Sequence, residues 1–398
     1  MTALIERIHF PATSGQARVD VSCFQGNSDV TEYHIVATAP GIDGFASDLA
    51  AMAAGYAHAL STLGLGANSA VFRRIFLSDI ANQAEDALLS PLSRPAGPPD
   101  PVALSLVGQA PVGPGRVVLW AYHIKDPEGL RKRAVPDGVL VERGAQRHLW
   151  LTGLAAAPEK GVDTVAQQTT VLLERFADAL ARLDATLRDH AVRTWFFVPN
   201  VDLDYGELVK ARREVFARHG LTAETHYISS TGIEGRAADP RALAILDVYA
   251  IAGLAPSQVS FLHAPDHLGP THLYGVTFER GTRVDFRDRR HLFLSGTASI
   301  DPAGHTLHLR DPRAQARRAS ENLDALLADG GCGPSDVMQL IVYLRDPHDE
   351  PAVVPLLRDR YPGVPAVVVR APVCRPNWLV ELECMAIRSQ ALTHLPPF

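Results

Sequence analysis

The sequence is poor in the features that mark specialised protein classes. Only 4 of its 398 residues are cysteine, and Cys23, Cys332, Cys374 and Cys384 contain no C-x-x-C pair. That spacing argues against zinc-ribbon and thioredoxin-like chemistry, and free thiols are the expectation. The 16 histidines are scattered without H-E-x-x-H or a comparable ligand pattern, so neither a metal nor an organic cofactor is expected. No uninterrupted apolar run is long enough to cross a bilayer, and Glu6 and Arg7 fall where a secretory signal needs apolar residues. The chain therefore reads as cytoplasmic and unanchored. Charge of one sign is also scarce: the net charge is −6, with no like-charge block and no basic domain of the kind that binds nucleic acid. A small anionic ligand would have to be held by a local cluster of arginines.

A repeat is present instead. A chain of this length exceeds one ordinary core, so two or three domains are the starting expectation. Three times the same order of elements recurs: strand, helix, strand, helix or loop, strand, strand. The first copy opens at residues 32–39 and continues through a helix with Phe45, Leu49, Met52, Tyr56, Leu60 and Leu63 at helical spacing. Strands at 72–77, 102–108 and 116–124 follow, with a proline-rich loop from Pro91 to Pro101 among them. The second copy has strands at 148–153, 194–198, 224–229 and 244–251, with helices around Leu172–Leu187 and at 206–218. His291-Leu-Phe-Leu-Ser-Gly296 opens the third almost as His148-Leu-Trp-Leu-Thr-Gly153 opens the second. Its helices lie around Ala319–Leu327 and at 352–360, and its last strands at 366–370 and 379–387. The fold class is α+β, with three homologous domains at 1–125, 139–252 and 278–390. Residues 126–138 read as a linker, and the Pro-, His- and Gly-rich segment 253–277 reads as a connector that walls a pocket.

The last strand of the third copy holds two carboxylates, Glu381 and Glu383, in an otherwise apolar run. At i and i+2 they share one face of the strand. A buried carboxylate needs a partner, a raised pKa or a face open to a pocket. Aligning the closing strands on Ile124, Ile251 and Ile387 sets Glu381 opposite Val118 and Ile245, and Glu383 opposite Trp120 and Asp247. Only the third copy puts acid at the first position, which makes Glu381 the leading site candidate. Glu383, whose counterpart Asp247 is also acidic, reads as structural. Arg283, Arg287, Arg289 and Arg290 read as a solvated turn among acidic neighbours.

The repeat unit resembles the Rid/YjgF (chorismate-mutase-like) fold, whose closing strand carries a V/I-E-I/L-E motif with its first Glu in a cleft between domains of a trimer. Three units in one chain would make an intrachain pseudotrimer, monomeric or weakly self-associating. Over about residues 140–388 the chain resembles the chorismatase, or 3-hydroxybenzoate synthase, family. The residues that carry this are Arg193-Thr194-Trp195, Ser230-Thr231-Gly232-Ile233, Leu273-Tyr274-Gly275, Phe278-Glu279-Arg280, Leu292 to Ala298, and Cys374 seven residues before Glu381. The chain has Tyr274-Gly275-Val276-Thr277 where the family carries a longer Tyr-Gly-Pro-Arg-type segment.

The resemblance implies that a chorismate-like dianion loses its enolpyruvyl group as pyruvate, with Glu381 as the acid that protonates the enol ether. It implies substrate contacts from Arg280, Tyr274 and Gly296, with Arg193 a second-choice arginine, and a role for Cys374 on a ring intermediate. Gly296 and Cys374 match the 3-hydroxybenzoate-forming subfamily, where alanines go with a dihydroxycyclohexadiene carboxylate. Two other readings stand beside this one. A Rid-type imine or enamine deaminase would need a carboxylate-binding arginine, and the turn here reads Pro365-Ala366-Val367-Val368, with Arg370 close by. A non-catalytic ligand-binding protein would need no particular carboxylate.

Overall fold

A computed structural model describes residues 5–12, 15–93, 100–156 and 161–398. Three mixed sheets follow one another along the chain. In spatial order the first contains Ile5–Phe10, Arg18–Gln25, Thr31–Thr38, Val117–Lys125, Ala70–Leu77 and Ala103–Gly108. The second contains Ser229–Glu234, Ala191–Val198, Ile245–Ala252, Gln146–Ala155, Gly138–Arg143 and Arg131–Val135. The third contains Val259–Phe261, Gly281–Asp285, Arg289–Leu294, Val380–Ser389, Val337–Leu344 and Ala366–Arg370, with Thr297–Ala298 also paired to the closing strand. Each sheet has one parallel pair, and a parallel pair needs a crossover. Helices Ile80–Leu89, Val201–Arg218 and Glu350–Arg360 supply the three crossovers. This is an α+β architecture of three tandem domains that share one topology.

The helices form where local sequence starts and stops them. Thr164 and Gln167 make a reciprocal capping box ahead of helix Val165–Ala181, and Asp311 caps Pro312–Asp329 with proline in the first turn. Gly64, at φ 61°, ends Phe45–Leu63 in the left-handed region that glycine enters without strain. Each domain packs its helices on one face of its sheet. The opposite faces meet one another in a single apolar core that includes Phe72, Trp120, Trp150, Trp195, Tyr249, Phe293 and Tyr343. No helix among the described residues is long and apolar enough to cross a membrane.

The domains close into a ring by equivalent contacts. Each parallel edge strand bridges to the segment that follows the corresponding strand of another domain: Gly108 to Arg236, Ile233 to Val373, and Val369 to Pro111. One buried ion pair crosses each interface: Arg74 with Asp247 at 2.7 Å, Arg193 with Glu383 at 2.7 Å, and Arg289 with Glu32 at 2.6 Å. Breaking such a pair from one side strands a charge in the core. Asp247→Ala would leave the fully buried Arg74 unmatched, and a loss of about 3–5 kcal/mol in unfolding free energy is expected. Denaturant titration of this variant against the wild type checks it.

Several sequence expectations change here. Arg289 does not lie in a solvated turn: it is fully buried, bonded to Glu32, Asp288, Ser28 and the Val30 carbonyl, because its strand begins on the face that meets the first domain. Arg283 and Arg290 are half-buried and pair with Asp285, while Arg287 is exposed. Two opening strands, Ile5–Phe10 and Arg18–Gln25, precede the point at which the first repeat was recognised. Residues 131–135 form a strand of the second sheet, and 259–261 an edge strand of the third. The strand expected at 224–229 lies at Ser229–Glu234. Within the Pro91–Pro101 loop, residues 94–99 lie outside the described residues.

The closing-strand alignment holds. Val118, Ile245 and Glu381 pair with Phe76, Phe197 and Tyr343, each the seventh residue of an eight-residue strand. Glu381 is therefore the only acid at this position in the three domains.

Candidate active site

A cavity of about 390 Å³ lies between the second and third domains, with Glu381 in its wall. The second domain contributes one face of helix Val201–Arg218, with Tyr205, Lys210 and Arg213, and the edge strand with Ser230, Thr231 and Gly232. The connector contributes Tyr274, Gly275, Val276 and Phe278. From the third domain come Gly296, Cys374, Arg375, Trp378 and Glu381.

Glu381 is 4% exposed, and among the described residues no protein group hydrogen-bonds its carboxyl. Burial pushes its pKa up to about 8; the nearby Glu383 adds to this, and Arg193 and Arg280 oppose it. The carboxyl thus keeps its proton through neutral pH while facing a cavity. Gly296 makes this placement possible. A Cβ at residue 296 would stand 2.0 Å from Glu381 Oε1, so the carboxyl occupies the space a side chain would take. Gly232 does the same for Tyr205, whose Cε2 would be 2.5 Å from a Cβ there.

Thr231 joins the two domains at this point. Its Oγ1 accepts the Gly296 N–H at 2.9 Å and an Arg193 N–H at 2.5 Å, and donates to Glu383. The connector is tied down from both sides. Arg280 donates to the Gly269 carbonyl at 3.1 Å and to the Tyr274 hydroxyl, and Arg213 reaches the Gly275 carbonyl at 2.5 Å. Gly275, at φ 86°, ends the short helix Thr271–Tyr274. The Arg375 guanidinium lies 5.3 Å from the Tyr274 ring and 5.0 Å from the Trp378 ring.

Four of the six residues singled out from the sequence line the cavity: Glu381, Cys374, Tyr274 and Gly296. Arg280 sits behind Tyr274, with its Nε buried and unpartnered. Arg193 does not reach the cavity; its guanidinium is taken up by Glu383, Thr231 and the Thr194 carbonyl. Sequence reasoning missed Tyr205, Lys210, Arg213, Arg375 and Trp378. Arg375 and Trp378 were within reach of it, since they lie between Cys374 and Glu381. The other three belong to helical turns from another domain.

The electrostatics are one-sided. Lys210, Arg213 and Arg375 line the cavity and pair with no carboxylate among the described residues, while Asp202 is engaged by Arg345 at 2.8 Å. Burial, with Glu381 nearby, raises the Cys374 thiol to about 12, so it remains a thiol rather than a thiolate. Burial likewise keeps the Tyr205 and Tyr274 hydroxyls protonated. The arrangement has the charge to hold an anion beside a neutral carboxylic acid. Any step that uses this proton should run at a constant rate below pH 8 and fall about tenfold per unit above it, as Glu381 ionises. The pH profile of kcat/KM reads this directly.

Comparison with known proteins agrees with the fold. The fold is chorismatase-like and built on Rid-like domains: a chorismatase crystal structure superposes with a TM-score of 0.62, covering 81% of this chain and 94% of that one at 18% identity. The chain belongs to the RutC family. A RutC family protein of Synechocystis is 30% identical over 103 residues, which is 24% of this chain and 77% of the relative. The 3-aminoacrylate deaminase RutC of Acinetobacter baylyi is 28% identical over 97 residues, 24% of this chain and 77% of that protein. The family model described as endoribonuclease L-PSP matches residues 284–388, within the third repeat.

Proposed function

We propose that this protein is a chorismatase-like enzyme that splits chorismate, or a close anionic relative, into pyruvate and a hydroxybenzoate, with 3-hydroxybenzoate the ring product. The observation that carries this reading is the neutral Glu381 carboxyl facing a cavity ringed by Lys210, Arg213 and Arg375. Chorismate brings two carboxylates to those cations and an enol ether to the acid.

Glu381 donates its proton to the methylene carbon of the enolpyruvyl group. The resulting oxocarbenium ion is captured by water, and the hemiketal collapses to pyruvate and a ring hydroxyl. Loss of one water from the cyclohexadiene then gives the aromatic ring, so the whole conversion is balanced without an oxidant. Burial fits Glu381 for this step, since an acid of ordinary pKa would hold almost no proton at neutral pH. Tyr274, held by Arg280, and the Arg375 guanidinium frame the ring, and Gly296 leaves room for the acid beside it. Cys374 meets the ring intermediate as a neutral thiol.

The deaminase reading has less support. Arg370, the arginine nearest to its required turn, pairs with Glu234 at 3.0 Å and does not line the Glu381 cavity. Incubation with chorismate should release pyruvate in step with a ring product identified by chromatography, and ammonia release from 2-aminoacrylate should be no faster than its spontaneous hydrolysis. Intact chorismate after prolonged incubation would overturn the proposal.

A further inference from the structure

Glu383 occupies the same strand face as Glu381 but turns to the second domain. Its Oε2 accepts from Arg193 at 2.7 Å and from the Thr231 hydroxyl, and its Oε1 accepts from Trp195 Nε1 at 2.9 Å. Donor accounting fixes its charge state. Thr231 Oγ1 already accepts two N–H groups, from Arg193 and Gly296, so its own proton must go to Glu383. The carboxyl therefore faces three donors, one of them a guanidinium, and no bonded acceptor, which is the arrangement that suits an ionised acid. Its side chain is 4% exposed, and the three donors all belong to another domain.

We infer that Glu383 is a positioning residue for the Glu381 acid: locked as an anion by Arg193, Trp195 and Thr231, it keeps the proton on Glu381 and keeps Arg193 from drawing that carboxyl out of the cavity. The inference rests on the reading of Glu381 as the acid and adds that the acid's protonation is set across the domain interface. The other groups that act on Glu381 come from every element around it. Tyr343 lies on the adjacent strand, Tyr205 on the helix of the second domain, Cys374 on the preceding loop, and Arg193 and Arg280 supply positive charge. The two tyrosines and the thiol are neutral near pH 7. Glu383 is thus the one anion in the set, and it engages the arginine whose charge favours ionisation of Glu381.

Glu383→Gln preserves shape and removes the charge. The alkaline limb of the pH profile is expected to move down by about one unit or more, giving an activity loss of about fivefold or more at pH 8 and about tenfold or more above pH 9. Arg193→Lys, which keeps the ion pair, should leave the limb in place. A second readout needs no substrate: the infrared difference between wild type and Glu381→Gln, followed against pH, titrates the single Glu381 carboxyl. It should show the same downward shift in the Glu383→Gln background. Should the single variant not fold, Glu383→Gln/Arg193→Met strands no charge and is expected to shift both readouts in the same direction by less. Unchanged limb and infrared titration in whichever variant folds would overturn the inference. An infrared shift in a protein inactive on chorismate would sink the substrate assignment and leave the inference standing.

Discussion

Glu381→Gln is expected to give a folded protein that binds substrate with little change in KM and releases pyruvate about 10²–10⁴-fold more slowly, the usual range for removing a general acid. The amide fills the same space and keeps the strand intact, but it cannot donate a proton to carbon. The same substitution should make the protein more stable in mild alkali. The wild-type carboxyl has its pKa raised from 4.5 to about 8. Between those values the unfolded chain ionises and the folded one does not, so stability falls as pH rises from about 4.5 through 8. Glutamine removes that penalty, a gain on the order of 2–4 kcal/mol at pH 8. Pyruvate kinetics and denaturant titration at pH 8 measure the two effects. Their opposite signs separate a catalytic acid from a residue that merely packs, since a packing residue would lose stability and activity together.

What was legible in the sequence follows from the physics of each residue. Glu381 stood out because a carboxylate in an apolar strand violates local consistency, and two sibling strands supplied the apolar reference at Val118 and Ile245. The threefold architecture was legible because repeated element order survives where residue identity does not. The surroundings of Arg289 and Arg193 were hidden for a shared reason. Their partners, Glu32 and Glu383, lie 257 and 190 residues away, and no pattern near either arginine reveals a carboxylate waiting across an interface. Tyr205 was lost through a boundary: the helix begins at Val201 rather than Gly206, so the turn that meets Cys374 fell in an apparent loop. Gly296 was visible only through resemblance, because its backbone is not in the left-handed region and nothing local demands glycine.

That last point leads to the second large effect. Gly296→Ala is expected to cost about 10²-fold in kcat with a folded protein. The demand for glycine is one of space: the new Cβ would lie 2.0 Å from Glu381 Oε1, 2.7 Å from its Cδ, and 3.2 Å from Thr231 Cγ2. Neither approach is tolerable for the carboxyl, so it must change rotamer and leave its place in the cavity wall. An acid misplaced by about 1 Å suffices for a loss of this size. The cost in stability should be smaller, about 1–3 kcal/mol, as for other overpacked sites. The resemblance links an alanine here to a dihydroxycyclohexadiene product, and the geometry supplies a reason: alanine and an active carboxyl coexist only with the acid in another orientation, which would alter what happens to the ring after pyruvate leaves. Chromatography of the ring products should therefore show a changed ratio as well as a slower rate. If the loss arises through Glu381, the double variant Gly296→Ala/Glu381→Gln will be no slower than Glu381→Gln alone; multiplied losses would mean that Gly296 acts on the substrate independently of the acid.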